Sequence, residues 1–235
     1  MSTLRIQYVK KDNMKFLSHL EMVRFMERAF RRMELPLKFS QGFNPHPKIS
    51  FAAPLAVGVS SEAEIVEVEL TQAIDPNALI SNQGDNVPDG LSFVRAKEVS
   101  GSGKLMALVS ASEYLVEVRY SDAVKDTDGR KENEALDHLL DKDEIMIQKK
   151  TKKGKIKDVN IRPFVMDAKT VLSEEARSIF RLTVATGSNG NLKPEVFIDC
   201  LIKEMDLIDS VEAVRVHRLQ LFTQKEGQLV PLYDL

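Results

Sequence analysis

A polar loop between two apolar segments carries the residues of this chain best suited to bind a ligand. Pro45 and Pro47 fix their own φ angles and bias the residue before each of them toward extended backbone. Gly42 can supply a positive φ beside them. Rigid polar loops are binding sites more often than plain connectors, although an elaborate structural turn is the alternative. The predicted binding residues of this loop are Gln41, Gly42, Asn44, His46 and Lys48.

A second polar loop precedes a predicted helix that begins at Pro194. Backbone N–H groups at a helix N-terminus, together with the positive end of the helix dipole, can bind phosphate. The glycine spacing matches neither a Walker motif nor a dinucleotide fingerprint, and a strand-to-helix turn is the alternative. The predicted ligand- or partner-binding residues here are Gly187, Ser188, Asn189 and Lys193.

Two local clusters of positive charge indicate contact with nucleic acid. Lysine and arginine neutralise phosphates and release counterions without reading sequence. The arginines could instead pair with glutamates of the same helix, and the lysine-rich segment could be a solvated hairpin tip. Without tryptophan and with 6% aromatic residues, the chain favours contact with phosphates or structured RNA over base stacking. The predicted nucleic-acid-binding residues are Arg24, Arg28, Arg31, Arg32, Lys149, Lys150, Lys152 and Lys153.

The histidines suggest a catalytic alternative. His19 and His46 could act as acid and base, since histidine titrates near neutral pH. No serine, cysteine or carboxylate stands at a spacing that defines a catalytic set, and no metal-ligand motif is present. We therefore predict neither catalytic residues nor a metal site.

Cys200 is the only cysteine of the chain. One cysteine cannot form a disulfide within the chain and suits a reducing cytoplasm. Iron–sulfur clusters are held by several cysteine thiolates, so this chain does not hold such a cluster by itself. We expect a structural thiol, no cofactor and a cytoplasmic location.

Composition sets wider bounds. The 235 residues are 43% hydrophobic and carry a formal net charge of −2. This content is enough to build real cores, and the charge excludes a globally basic nucleic-acid binder. No signal-peptide segment and no run of about 18 apolar residues occurs, so we predict neither secretion nor membrane spanning.

The elements that must position the first loop form a split β-α-β pattern. Residues 4–10 alternate as a half-buried strand. Ser18 and Glu21 form a capping box at the start of a helix, whose predicted apolar face consists of Leu20, Val23, Met26, Phe30 and Met33. An apolar segment at 49–55, a strand at 63–70, a helix at 75–80 and a strand at 91–99 complete a ferredoxin-like order.

The order repeats after a linker predicted at 100–103. A strand at 114–120 and a helix at 132–140 precede a hairpin that pairs 145–150 with 156–165 across Gly154. A strand at 180–185, a helix from Pro194 and a strand at 213–222 follow. The sequence therefore predicts an α+β protein with two tandem ferredoxin-like α/β-sandwich domains, at residues 1–103 and 104–235.

Four motifs resemble a known family. They are residues 16–21 (FLSHLE), 40–48 (SQGFNPHPK), 54–59 (PLAVGV) and 187–194 (GSNGNLKP). They resemble the radical-SAM-associated bacterial family of unknown function, whose members are fused to, or encoded beside, a radical-SAM protein. The match is specific in the first 70 residues and looser from about 120 to 165. The resemblance implies a radical-SAM partner and gene neighbours involved in ribosome and RNA maturation, without an established activity. A radical-SAM enzyme holds its iron–sulfur cluster with three cysteine thiolates, so this chain, with one cysteine, is not itself such an enzyme.

These observations predict a non-catalytic accessory protein of a radical-SAM system that binds RNA, or a component of ribosome or RNA maturation, through local basic patches. The alternative is a subunit that docks the radical-SAM enzyme or its protein substrate without touching RNA. A histidine-dependent RNA-processing enzyme is the least favoured hypothesis.

Overall fold

A computed structural model describes residues 2–100, 105–121, 129–151, 154–188 and 190–235 of the chain. Parts of the predicted linker (101–103) and of the predicted sites (Lys152, Lys153 and Asn189) lie outside the described residues. The chain divides into two compact units. Unit 1 contains Met1–Ser110 and Arg218–Leu235, and unit 2 contains Ala111–His217.

The elements follow one another as the sequence pattern indicates, with several additions. The first part of the chain contains β1 (Ser2–Lys10), α1 (His19–Arg32), β2 (Ile49–Phe51), β3 (Ser60–Leu70), α2 (Pro76–Ser81), β4 (Leu91–Val99) and α3 (Leu105–Leu108). The second part contains β5 (Ala111–Tyr120), α4 (Arg130–Asp141), β6 (Met146–Lys150), β7 (Ile156–Asn160), β8 (Val165–Glu174), β9 (Arg177–Ala185), α5 (Pro194–Glu204), β10 (Val211–Lys225) and β11 (Gln228–Pro231).

The sheet of unit 1 has the strand order β4-β1-β3-β10, while β2 also pairs with β3 and β11 with β10. β1 is antiparallel to both β3 and β4. The first seven residues of β10 belong to unit 2 and the rest to unit 1. The first loop joins α1 to β2, and its flanks are attached to β3, because the Lys38 N–H donates to the Glu69 carbonyl at 2.9 Å and the Glu69 N–H donates to the Lys48 carbonyl at 3.0 Å.

Helix α1 forms because its capping box and its apolar spacing agree. Ser18 Oγ accepts a hydrogen bond from the Glu21 backbone, and the Glu21 carboxylate accepts one from the Ser18 backbone. The helix buries four side chains: Met22, Met26, Ala29 and Phe30. Leu20, predicted on the apolar face, is 58% exposed. It lies two residues from Met22, about 200° around the helix, so the prediction for Leu20 is wrong.

Strand β1 is buried almost throughout, whereas its alternation predicted one exposed face. One face of the sheet packs on α1, and the other packs on a second core that contains Leu105, Leu221 and Leu232. Arg5 is therefore buried, and its guanidinium donates to Glu67 Oε1 at 2.8 Å and to the Leu232 carbonyl at 2.9 Å. Alternation alone could not show that both faces are covered.

The sheet of unit 2 has the order β10-β5-β9-β8, and β9 is antiparallel to both β5 and β8. Strands β6 and β7 form a separate antiparallel hairpin. Helices α4 and α5 lie against each other and contribute buried Leu136, Leu139, Phe197 and Leu201 to the core. The predicted strand at 156–165 ends at Asn160, because Pro163 lies in a short 3-10 helix, Arg162–Phe164, and has no N–H to donate to a ladder.

The described elements confirm a mixed α+β protein with mostly antiparallel pairing and few helices. The units differ from the predicted ranges 1–103 and 104–235, since residues 105–110 and 218–235 belong to unit 1. The carboxyl end does so because β11 pairs with the last part of β10. None of the helices among the described residues is both long and apolar enough to cross a membrane.

Candidate functional site

The first predicted loop of unit 1 is closed at its base by backbone contacts. Phe39 and Pro47 form an isolated antiparallel bridge. The Ser40 N–H donates to the His46 carbonyl at 2.8 Å, and the His46 N–H donates to Ser40 Oγ at 3.0 Å. Gly42 has a φ of 127°, which confirms the positive φ expected there. The residues between Ser40 and His46 therefore project as one closed tip.

The side chains of this tip are presented to solvent. Gln41, Asn44 and His46 are exposed, whereas Lys48 is half-buried. The Lys48 ammonium lies 3.6 Å from Glu69 Oε2, so this predicted site residue also has a structural partner. Phe43, which the sequence analysis did not single out, is fully exposed.

Three of the four predicted arginines of α1 share one exposed stripe. Arg24, Arg28 and Arg31 are exposed, and within the described ranges none of them takes part in an ion pair. The predicted ion pairs with glutamates of the same helix are therefore not formed at these three positions, although hydrogen bonds from Ser18 and, to a smaller extent, the charge of Arg24 lower the pKa of Glu21. Arg32 differs, because its Nη2 donates to the Asn86 carbonyl at 2.7 Å.

The two histidines of the catalytic alternative have different surroundings. The His19 ring packs edge-on against Phe51, with centroids 5.2 Å apart. It also lines a cavity of about 10 Å³ together with Lys10 and Glu64. Such a volume holds about one water molecule, so it cannot take a substrate. His46 lies on the exposed loop instead.

Beneath His19 lies a buried polar cluster that sequence reasoning missed. Arg218 Nη1 donates to Glu64 Oε1 at 2.9 Å and to the Ala53 carbonyl at 3.1 Å. Lys10 Nζ donates to the Leu17 carbonyl at 2.7 Å, and burial lowers the pKa of Lys10. Burial also disfavours the charged form of Tyr8 and therefore raises its pKa. Because each cation has an acceptor, this cluster acts as an internal ionic support of unit 1.

The lysine-rich hairpin of unit 2 places like charges side by side. Lys149 is directly opposite Lys157, and Lys150 is opposite Ile156. Like charges at directly opposed positions destabilise a strand pair. In the part of the hairpin that the structure describes, neither Lys149, Lys150 nor Lys157 forms an ion pair. The hairpin therefore keeps free cations at an energetic cost.

A groove of about 900 Å³ runs beside this hairpin within unit 2. Its apolar lining includes Ile147, Val159 and Phe164. Three carboxylates line it as well: Glu144, Asp199 and Glu204. Five lysines line the same groove: Lys142, Lys149, Lys150, Lys193 and Lys203. The structure thus brings two predicted sites together, since Lys149 and Lys150 come from the hairpin and Lys193 from the second predicted loop.

The second loop is shaped by a close approach to the wall of the groove. Gly187 has a φ of 115°, and Ser188 is exposed. A Cβ on Gly190 would lie 2.6 Å from the Phe164 ring, so only glycine fits there. Lys193 is the exposed residue before α5, and among the described residues it forms no ion pair. The ammonium group of Lys193 is therefore available to a ligand in the groove.

Electrostatics at the end of the groove are set by Glu204. Its carboxylate accepts a hydrogen bond from Lys142 Nζ at 2.9 Å and contacts His138 Nδ1. The hydrogen bond from Lys142, followed by the contact with His138, lowers the pKa of Glu204. Cys200, which also lines the groove, is half-buried, and burial raises the pKa of its thiol. Among the described residues, no group of three or more His, Cys, Asp or Glu side chains could hold a metal ion.

Comparison with known proteins gives a family match and a structural similarity. A family model described as an uncharacterized protein conserved in bacteria (DUF2344) matches residues 3–194. No curated protein sequence matches the chain significantly. The structure is similar to a chain in the crystal structure of a Cbf5-Nop10-Gar1 complex, with a TM-score of 0.51 and 13% identity. The alignment covers 99% of this chain and 53% of that chain, so this chain spans about half the length of its structural relative. At this identity the likeness concerns the fold alone.

Proposed function

We propose that this chain, which belongs to the DUF2344 family of uncharacterized proteins conserved in bacteria, is a non-catalytic accessory protein that binds RNA, or an RNA-containing component of ribosome or RNA maturation. The proposed contact is the groove of unit 2, with Lys149, Lys150 and Lys193 on the phosphates. The resemblance of the four motifs supports a radical-SAM protein as the partner of this system, and the single Cys200 supports a cytoplasmic location.

One observation carries the proposal: among the described residues, Lys149 stands opposite Lys157 in the hairpin without an ion pair, and Lys149 also lines the groove. A polyanion bound to Lys149 and Lys157 would relieve the repulsion between these opposed lysines, because its phosphates neutralise both charges and release counterions. The groove adds Lys193 from a separate element. If the lysine-rich tip only protected a sheet edge, it would not require a groove of about 900 Å³ beside it or a further lysine, Lys193, at the start of α5.

The composition of the groove suits the backbone of folded RNA. Its lining holds lysines and aliphatic side chains, and Phe164 is its one aromatic residue. Because base-stacking sites rely on several exposed aromatic rings, we propose contact with phosphates of structured RNA. The arginine stripe of α1 is not part of this proposed contact.

We propose no catalytic role for this chain because of the surroundings of its titratable groups. His19 packs on Phe51, and His46 stands on an exposed loop. The buried Lys10 and Glu64 surround a cavity of about 10 Å³, too small for a substrate. With Cys200 as the only cysteine, the chain would depend on its partner for any radical chemistry.

We also propose that both units are ferredoxin-like. In unit 1 the strands β1 to β4 and helices α1 and α2 follow the order β-α-β-β-α-β, with β4-β1-β3 as neighbours and β2 beside β3. In unit 2 the order β10-β5-β9-β8 repeats this arrangement, with α4 and α5 as its two helices. These orders support the split β-α-β pattern.

The test is purification of the tagged chain from its native cell at moderate salt, with bound RNA and bound protein identified separately. We expect recovery of RNA that survives washing and is removed by nuclease treatment. An RNA-free complex with a protein that carries a three-cysteine cluster motif would contradict the proposal. It would instead support the alternative function, a subunit that docks a radical-SAM enzyme or its protein substrate without RNA contact.

A further inference from the structure

Unit 1 exposes large apolar side chains at both ends of α1. Near the start of the helix, Phe16 is 59% exposed, Leu20 58% and Val57 59%. The Gly58 N–H donates to the Lys15 carbonyl at 2.9 Å, so the turn that carries Val57 lies beside Phe16. Exposed apolar groups that occur singly need no explanation, whereas grouped ones mark interaction sites.

At the other end of α1 the apolar groups come from the first predicted loop. Phe39 is 41% exposed, and Phe43 at the tip is 106% exposed. The Arg31 guanidinium lies over the Phe39 ring at 5.6 Å. The closed base of the loop therefore joins Phe43 to the end of the helix.

The exposed stripe of α1 connects these two ends. Leu20, Arg24, Arg28 and Arg31 follow one another at intervals of four, four and three residues, which places them on one face along about 16 Å of helix. Glu27 lies among them, yet in the described part of the chain it forms no ion pair with these arginines. The stripe is thus positively charged in its middle and apolar at both ends.

We propose that this surface, from Phe16 through the α1 stripe to Phe43, docks a protein partner through a segment with acidic residues flanked by apolar ones. Arginine and phenylalanine are enriched at the centres of protein interfaces, where lysine is depleted. Leu20 and Val57 offer no π face for a base and no polar atom for a phosphate, so these aliphatic side chains favour protein over RNA. The exposed arginines supply the charge complementarity for carboxylates.

The inference is tested by photo-crosslinking of the full-length chain in its native cell. A benzoylphenylalanine replaces Leu20 in one variant, Phe43 in a second and the exposed Val171 of unit 2 in a third, which is the control. We expect adducts from positions 20 and 43 that resist nuclease, disappear with protease and map by mass spectrometry to an acidic segment with apolar residues. Position 171 should give no such adduct.

Charge reversal then tests the role of the arginines. Arg24→Glu, Arg28→Glu and Arg31→Glu together should lower the yield of the adduct about ten-fold or more, since like charges then face the partner. The matched control reverses three exposed cations outside both surfaces, Lys169, Arg215 and Lys225, and should leave the yield unchanged. All these side chains are exposed, so melting temperatures should show that each variant is folded.

Several results would overturn the inference. An adduct that nuclease removes would identify RNA as the occupant, and an adduct to a second copy of this chain would identify self-association. A cross-linked segment that is basic or neutral would contradict the proposed partner chemistry. The inference would also fail if arginine reversal left the yield unchanged, or if positions 20 and 43 gave no adduct. None of these results bears on RNA binding by the hairpin of unit 2, so this inference and the proposed function can fail separately.

Discussion

The hairpin groove of unit 2 and the α1 surface of unit 1 are both basic, yet they are built from different residues. The groove presents lysines beside a half-buried apolar lining. The α1 surface presents arginines between fully or largely exposed phenylalanine, leucine and valine side chains. Lysine acts as a mobile point charge suited to phosphates, whereas arginine with exposed apolar groups suits a directional, desolvated contact. The type of cation and its apolar neighbours therefore distinguish the two surfaces where net charge does not.

The largest effect is expected from breaking the ionic support beneath the α1 surface. Arg218→Met removes the partner of Glu64, whose side chain is 4% exposed. An uncompensated buried charge costs about 3–5 kcal/mol, which chemical denaturation should detect as a lower free energy of unfolding. Arg218→Met combined with Glu64→Leu should recover most of this difference. A single variant within about 1 kcal/mol of the native chain would show that the pair does not support unit 1.

A smaller effect should separate the backbone of the first loop from its side chains. Gly42 has a φ of 127°, so Gly42→Val should cost about 1–3 kcal/mol through backbone strain, although no atom crowds the position. Phe43→Ala is the matched control and should change stability by no more than about 0.5 kcal/mol. Thermal melts of the two variants provide the comparison. Equal stabilities would mean that the loop accepts other conformations and does not present Phe43 rigidly.

The stability of the folded protein should depend on pH through Glu204, a carboxylate of the groove. Its pKa is lowered in the folded protein, so its ionised form stabilises the fold above its unfolded pKa, about 4.3. This contribution is lost as pH falls through the lower folded pKa. The melting temperature of Glu204→Gln should therefore lie below that of the native chain at about pH 6, and the gap should close toward about pH 3. Glu144→Gln, an exposed carboxylate of the same groove, is the control. A gap that widens on acidification would contradict the sign of the shift.

The smallest stability effect is expected for the polar groups of the first loop. His46→Ala and Lys48→Ala leave Pro45, Pro47 and Gly42 in place, and the Lys48 contact with Glu69 is partly exposed. Such changes typically cost no more than about 0.5 kcal/mol. We expect reduced capture of the partner by the α1 surface, measured as adduct yield from position 43. Variants that capture normally but melt several degrees lower would assign these side chains a purely structural role.

Local chemistry made part of the fold predictable. The capping box at Ser18 and Glu21 is formed, and Gly154, with a φ of 79°, turns the hairpin. The burial of Arg5, Glu64 and Arg218 was not predictable from alternation, because the second layer that covers β1 includes Leu221 and Leu232 from the far end of the chain. Long-range coverage of this kind leaves no local signal.

The candidate sites were predictable in their residue types and less so in their grouping. Lys149 and Lys193 could each be identified as cationic, yet their common groove depends on how the hairpin lies against α5. The exposure of Leu20 and Phe43 was missed because both residue types usually indicate a core. Two signals in the sequence could have shown these features. Charged residues within apolar strands indicate the buried ionic cluster, and apolar residues on a basic helix stripe indicate the α1 surface.

The central claim is that the lysines of the hairpin groove bind RNA phosphates, and the dependence of affinity on salt tests it most directly. Binding of a fluorescently labelled RNA hairpin would be followed by anisotropy across a range of salt concentrations. Lys149→Gln with Lys150→Gln should weaken binding and reduce the slope of log affinity against log salt by about 0.7 to 0.9 for each phosphate that the variant no longer neutralises. The matched control, Lys169→Gln with Lys225→Gln, removes two exposed lysines elsewhere and should keep the native slope. An unchanged affinity and slope in the hairpin variant would contradict the account and leave the hairpin as a solvated tip.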